Sequence, residues 1–125
     1  MSHALHYRLH TERFAICRLE GGEAVPEWAM QGPIWSVTRS AHELSILCKQ
    51  KQVPAGVRSQ PGWHCIELVG PFPVEMTGVL AAVLSPLAAA GVPILALSTF
   101  DTDLVFVKEE HVGAAVKALA KAGHS

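Results

Sequence analysis

The sequence has little charge, and neither sign of charge is in excess. Charged residues make up 17% of the 125 residues, with ten Lys and Arg against eleven Asp and Glu. A chain that binds nucleic acid or an anionic membrane surface usually carries a basic stripe. The sequence contains no such stripe, so we expect neither nucleic acid nor a membrane as a partner.

Cysteine is also scarce, and no two cysteines form a C-x-x-C motif. The three cysteines are Cys17, Cys48 and Cys65. An odd number without that spacing is atypical of a secreted disulfide scaffold and fits a reducing compartment. All three fall in strand-like runs, so we expect buried, unreactive thiols. Because the N-terminus has no signal-peptide pattern, we expect a cytoplasmic protein.

Motifs for binding metals or phosphate groups are missing as well. The seven histidines form no His-Glu-x-x-His motif, so we expect no metal site. His3, His6 and His10 recur at spacings of three and four, but the pattern around them is that of a strand, with the histidines on solvated faces or at strand ends. No Gly-rich loop follows a strand, so we expect no cofactor. The acidic pair Asp101 and Asp103 leaves a small metal-dependent enzyme open as an alternative.

One uncharged stretch, from Met76 to Phe100, is long enough to cross a bilayer. Pro86, Gly91 and Pro93 interrupt it, and its second half has the pattern of a β-strand. We therefore interpret the stretch as a buried helix followed by a buried strand.

Apolar residues are abundant, at 50% of the chain, which is enough for a hydrophobic core at this length. Alternating and β-branched runs predict seven strands, and helical spacing predicts two helices. The strands are predicted at Leu5–Leu9, Phe14–Leu19, Ile34–Arg39, Leu44–Lys49, Trp63–Val69, Ile94–Ser98 and Leu104–Lys108. The helices are predicted at Thr77–Ala90, with Thr77 as the N-cap, and at Glu109–Ala122.

The second half of the sequence repeats a pattern of the first half. Pro33 begins a strand and Glu43 begins the strand after a polar turn, and Pro93 and Asp103 stand in the same places further along the chain. This repeat predicts an internal duplication. The strand–helix–strand–strand–helix order predicts an α+β, ferredoxin-like fold with antiparallel sheets.

The duplication predicts two interlocked βαββ(α) units, residues 1–60 and 61–125, packed as one compact globule. The second unit ends in a helix and has no final strand of its own. We expect the extra N-terminal strand, Leu5–Leu9, to take that place.

The segment Pro86–Ile94 and the turn Ser98-Thr99-Phe100-Asp101-Thr102-Asp103, with the strand after it, resemble the small tandem ACT-domain proteins. They are also similar to the ACT modules of CASTOR-type arginine sensors and of aspartate kinases. The resemblance covers most of the chain, with a looser match over the first thirty residues. It implies the ACT fold and a regulatory function, the binding of an amino acid without catalysis. It also implies that the chain forms a homodimer read by a downstream partner.

The resemblance further implies a ligand site where a loop enters the first long helix and the following strand ends. A helix N-terminus offers free N–H groups to a carboxylate, and an acidic side chain can hold an ammonium group. The implied residues are Met76, Thr77, Gly78, Val79, Leu80, Ser98, Thr99, Phe100 and Asp103, with Ser36, Val37 and Thr38 as the matching positions of the first half.

Each of these residues also has a structural interpretation. Thr77 can be only a cap, Gly78 can serve helix packing, Asp103 can shape the turn, and Phe100 can belong to the core or an interface. A chain in which all these interpretations hold would be an interaction module that has lost its ligand.

Overall fold

The computed structural model of the protein describes residues 4–125, so His3 lies outside the described residues. Two compact units divide the chain. Glu12–Trp63 forms one unit, and His64–Ser125 forms the other together with the residues up to Thr11. No helix of the described chain is long and apolar enough to cross a membrane. The uncharged stretch folds as a helix followed by a strand, as predicted. Neither element is buried throughout, however: Val83 and Leu87 are the buried residues of the helix, and the residues of the strand are half-buried or exposed.

All seven predicted strands and both predicted helices are present. The strands are β1 (Tyr7–Leu9), β2 (Phe14–Leu19), β3 (Ser36–Arg39), β4 (Leu44–Lys49), β5 (Ser59–Leu68), β6 (Ile94–Ser98) and β7 (Asp103–Lys108). The α-helices are α1 (Val79–Ala89) and α2 (Val112–Lys121). Single 3-10 turns lie at Glu27–Ala29, Gln50–Gln52 and Glu109–His111. The last of these replaces the predicted first turn of α2.

Strand β5 begins four residues earlier than predicted, at Ser59 rather than Trp63. Pro61 and Gly62 have the composition of a turn, but here they form an irregularity inside the strand. Gly62 has a φ of 84°, and the register between β5 and β2 shifts at this point. A glycine with positive φ at a register shift is typical of a β-bulge, which lets the strand continue.

In the Glu12–Trp63 unit, the strands lie in the order β3-β4-β2, followed by the first part of β5. The β3–β4 and β2–β4 pairs are antiparallel. Cys17, Leu44, Ile46 and Cys48 are fully buried in its core. Trp28 packs against this cluster, and Trp63 is buried. Trp35 is 43% exposed.

In the larger unit, the strands lie in the order β1, β5, β7, β6. The centre of this sheet is β7, whose residues Val105–Val107 are fully buried, as expected for a central strand. The two α-helices contribute Val83, Leu87, Ala115 and Leu119 to a core that also contains β-strand residues. A face of small and branched apolar side chains on each helix therefore covers the sheet.

Strand β1 occupies the place expected for the missing final strand. It pairs antiparallel with β5, with Tyr7 opposite Leu68 and Leu9 opposite Ile66. On its other side the chain end adds two backbone hydrogen bonds, from Ser125 N–H to the Leu5 carbonyl at 3.0 Å and from Tyr7 N–H to the Ser125 carbonyl at 3.1 Å. The N-terminal strand is thereby held on both sides within the larger unit.

Both α-helices end in the same glycine-dependent motif. Gly91 follows α1 with a φ of 72°, and Gly123 follows α2 with a φ of 93°. After each glycine, the next N–H bonds a carbonyl five residues earlier: Val92 to Leu87 at 3.0 Å and His124 to Leu119 at 2.8 Å. This is the Schellman arrangement, which satisfies carbonyls that the helix leaves without donors.

We predict that the thiols of the folded protein do not react with a disulfide reagent at mildly alkaline pH. All three are buried. Burial, with a smaller contribution from Glu67, raises the pKa of the Cys65 thiol to about 12. A hydrogen bond to Cys17, together with burial, raises the pKa of Cys48. The same hydrogen bond lowers the pKa of the Cys17 thiol, but Cys17 is 1% exposed, so the reagent cannot reach it. Native protein should therefore release almost no chromophore, whereas urea-unfolded protein should titrate all three thiols. Rapid reaction of the native protein would contradict this.

Candidate functional site

An open cleft of about 380 Å³ lies in the larger unit where α1 begins and the β6–β7 hairpin turns. Its walls come from three short segments: the loop after β5, the first turn of α1 and the hairpin turn. The lining residues are Phe72, Pro73, Val74, Met76, Gly78, Val79, Leu80, Ala81, Ser98, Thr99, Phe100, Asp101, Thr102 and Asp103.

The helix side of the cleft is an N-terminus without a side-chain cap. The sequence predicted Thr77 as the N-cap, but the N-cap is Gly78, and no side chain bonds the first-turn N–H groups. Gly78 has a φ of 82°, a conformation that glycine adopts easily and Thr does not. Val79, Leu80 and Ala81 therefore present backbone N–H groups that have no acceptor within the helix.

The hairpin side of the cleft is a turn stabilised by its own side chains. Thr99 and Thr102 bond each other three ways: Thr99 N–H and Oγ1 donate to the Thr102 carbonyl, at 2.8 and 3.1 Å, and Thr102 N–H donates to Thr99 Oγ1 at 3.1 Å. The Ser98 hydroxyl donates to the Asp103 carboxylate. Asp103 thus does shape the turn, and its carboxylate still has the capacity to accept further hydrogen bonds.

The loop between β5 and α1 is attached to this turn. Phe72 N–H donates to the Asp101 carbonyl at 2.7 Å, and Thr102 Oγ1 donates to the Leu68 carbonyl at 2.8 Å. Gly70 makes the close approach possible, because a Cβ at that position would lie 2.7 Å from the Asp101 carbonyl oxygen. These contacts set the distance between two walls of the cleft.

Three apolar side chains at the cleft are exposed to solvent. Phe100 is 86% exposed, Val74 75% and Met76 46%. The expectation that Phe100 lies in a core is therefore wrong within this chain. Exposed apolar side chains around a concave site are typical of ligand-binding grooves, since a bound molecule covers them.

Eight of the twelve residues predicted from the sequence line this one cleft. Thr77 does not line it. The second-tier residues Ser36, Val37 and Thr38 lie on β3 in the other unit. Beside them, the Arg39 guanidinium donates to the carbonyls of Gly21 and Glu23.

Six lining residues are not among the twelve predicted from the sequence: Phe72, Pro73, Val74, Ala81, Asp101 and Thr102. Ala81 could have been found, because it completes the first turn of the helix. The positions of Phe72 and Val74 depend on the bond between Phe72 and Asp101, which has no local signal in the sequence.

The histidines and acids gather no metal-binding group in the part of the chain that the structure describes. His10 Nε2 lies 2.8 Å from Glu67 Oε1, and His64 Nε2 lies 3.3 Å from Glu109 Oε1. These are pairs between a ring nitrogen and a carboxylate. His124 departs from the expectation of solvated histidines, because it is buried.

Comparison with known proteins relates both parts of the sequence to described families. Residues 58–121 match the sequence model of the ACT domain. Residues 12–56 match a model described as the N-terminal domain of another family. No match was found among curated proteins.

Solved structures share the fold over almost the whole chain. A structural-genomics protein from Agrobacterium tumefaciens is 38% identical, with a TM-score of 0.94 and coverage of 99% of this chain and 92% of its own. A Vibrio cholerae protein of unknown function, described as a possible transport protein, is 21% identical (TM-score 0.77; 96% and 91% covered). The regulatory subunit of Thermus thermophilus aspartate kinase is 11% identical (TM-score 0.65; 98% and 99% covered).

We predict that Gly70→Ala destabilises the larger unit by about 1–3 kcal/mol, because the added methyl group collides with backbone that cannot move freely. The matched control is Gly113→Ala in α2, where an added Cβ would meet nothing within 4 Å. That change should leave the stability unchanged or raise it. Urea unfolding followed by circular dichroism measures both variants. Equal effects of the two substitutions would contradict the close approach at Gly70.

Proposed function

The chain belongs to the ACT-domain family, and from this premise we propose that it is a regulatory protein that binds a free amino acid in the cleft and catalyses no reaction. The observation that carries the proposal is chemical complementarity within one cleft. An uncapped helix N-terminus and a carboxylate, at Asp103, line the same space as exposed apolar side chains. A free amino acid has the three matching groups.

The amino acid's carboxylate is assigned to the first turn of α1. The N–H groups of Val79, Leu80 and Ala81 point out of the helix end, where the helix dipole is positive. No side-chain oxygen competes for them at the N-cap. A ligand carboxylate there would replace water as the acceptor and receive charge-assisted hydrogen bonds.

The ammonium group is assigned to the hairpin turn. The Asp103 carboxylate is half-buried and already oriented by the Ser98 hydroxyl. Orientation before binding lowers the entropy cost of forming the ion pair. The ligand's side chain would then contact Phe100, Val74 and Met76, so the proposal favours an amino acid with an apolar side chain.

Regulation would follow from linkage. A ligand that joins the start of α1 to the hairpin turn stabilises the arrangement in which these two elements are close, and a partner protein reads that arrangement. We also propose a homodimer, since β6 is an edge strand of the larger unit and no strand of residues 4–125 pairs with its outer side. The cytoplasm remains the proposed location.

A glycine at the same position of each unit supports the proposed internal duplication. Gly21 and Gly70 each stand two residues after a strand, β2 and β5. In each unit a Cβ there would collide with a carbonyl of the following hairpin turn, at 2.9 Å from Ala41 and 2.7 Å from Asp101. The predicted division into residues 1–60 and 61–125 stays a prediction.

We predict that at least one apolar amino acid binds the 125-residue chain and raises its thermal midpoint. A ligand at about a hundred times its Kd adds roughly 2.7 kcal/mol, which is several degrees for a unit of this size. The helical circular dichroism signal is the appropriate probe, because both α-helices lie in the unit with the cleft. The common amino acids, tested singly, form the panel.

Asp103→Asn should weaken that binding at least tenfold, because it removes the charge and keeps an acceptor for Ser98. The matched control is Glu75→Gln, a carboxylate in the same loop region that does not line the cleft. The control should bind as the native chain does. Binding of no amino acid would overturn the proposed function and favour an interaction module. A shift only with a divalent metal, lost in Asp101→Asn, would favour the enzyme instead.

A further inference from the structure

Helix α1 contains a proline that removes one of its backbone hydrogen bonds. In a regular helix the N–H of residue 86 donates to the carbonyl of residue 82, but Pro86 has no N–H. The neighbouring bonds are present: Ala82 N–H donates to the Gly78 carbonyl at 2.9 Å, and Ala90 N–H donates to the Pro86 carbonyl at 3.1 Å. The Ala82 carbonyl therefore needs a donor from outside the helix.

His124 supplies that donor. Its side chain is 2% exposed, and it is the only buried polar residue among residues 4–125. The ring nitrogen Nε2 lies 3.0 Å from the Ala82 carbonyl oxygen, and Nδ1 lies 3.0 Å from the backbone nitrogen of Leu5. A backbone N–H can only donate and a carbonyl can only accept. Nδ1 is therefore the acceptor, and the proton of the neutral ring lies on Nε2.

The backbone around His124 fixes the ring in this place. Its N–H closes the Schellman motif of α2 on Leu119, and the next residue, Ser125, donates to the Leu5 carbonyl. The imidazole thus joins three elements of the larger unit: the start of α1, the segment leading into β1, and the end of α2.

We propose that His124 is a positioning residue for the cleft: it replaces the donor that Pro86 removes and thereby holds the N-terminal half of α1. Ala82 directly follows Val79, Leu80 and Ala81, which line the cleft. The effect on ligand affinity rests on the proposed function. The hydrogen bond between His124 and Ala82 is testable in the free protein.

A double-mutant cycle between positions 86 and 124 tests the pairing. His124→Asn keeps an acceptor for Leu5 N–H but is too short to reach the Ala82 carbonyl. We expect it to raise the unfolding equilibrium constant roughly tenfold, about 1.4 kcal/mol, because the carbonyl of the half-buried Ala82 loses its donor. In the Pro86→Ala background, residue 86 regains its N–H, and the same substitution should change the constant less than about threefold. Equal effects in both backgrounds would overturn the proposal.

Two further measurements test the proposal even if one of these variants does not fold. His124→Gln places an amide N–H near the position of Nε2 but leaves the Leu5 N–H without its acceptor. Because the Ala82 carbonyl keeps a donor in this variant, Pro86→Ala should stabilise His124→Gln less than it stabilises His124→Asn. Equal stabilisation of the two variants by Pro86→Ala would contradict the bond from His124 to Ala82. In the native chain, nitrogen-15 NMR should find the His124 proton on Nε2, and a proton on Nδ1 would overturn the assignment. His42 is exposed, so His42→Asn serves as the control substitution, and we expect it to leave the stability unchanged.

If an amino-acid ligand is found, its affinity supplies a third readout. His124→Asn should weaken it several-fold, and adding Pro86→Ala should restore it. Loss that Pro86→Ala does not repair would count against positioning through Ala82. If no amino acid binds, the unfolding cycle and the NMR measurement still decide the proposal, so its failure is distinct from that of the proposed function.

Discussion

The hydrogen bond from His124 to the Ala82 carbonyl is the contact on which the cleft's geometry depends. A helix interior with a missing donor is a weak point, and a buried carbonyl without a donor costs roughly 1–3 kcal/mol. The chain places the replacement donor on the residue that also ends α2 and bonds the entry to β1. The first turn of α1 is therefore fixed by partners far away in the sequence.

The second constraint is the close approach between the loop after β5 and the hairpin turn. Gly70 permits it, and the bond from Phe72 N–H to the Asp101 carbonyl fixes it. With one wall fixed through Ala82 and the other through Asp101, the cleft is largely formed before any ligand arrives. Preorganisation of this kind lowers the entropy cost of binding.

The fold could be predicted from the sequence where the signal is local. Alternation located Phe14–Leu19 to the residue, and a high content of β-forming residues did the same for Leu44–Lys49 and Ile94–Ser98. The start of β5 was missed because Pro61 and Gly62, which normally mark a turn, form a bulge there. Thr77 failed as the N-cap because the backbone takes a positive φ one residue later, at Gly78.

The site could be predicted only in part, because only two of its three walls have local signals in the sequence. Its helix and hairpin walls follow from a helix start and a turn, and both have local patterns. The third wall, around Phe72 and Val74, depends on a bond to Asp101 that joins distant parts of the chain. The role of His124 is likewise tertiary, since 42 residues separate it from Ala82. No spacing or composition indicates a buried histidine there.

The central claim is that the cleft of the larger unit holds an amino acid. Backbone-amide NMR of the 125-residue chain, titrated with a mixture of apolar amino acids, tests it most directly. The account predicts saturable shifts of the Val79, Leu80 and Ala81 amides and of residues 98–103, while the amides of Glu12–Trp63 stay unchanged. Saturable shifts confined to Glu12–Trp63, or no saturable shift at all, would contradict it.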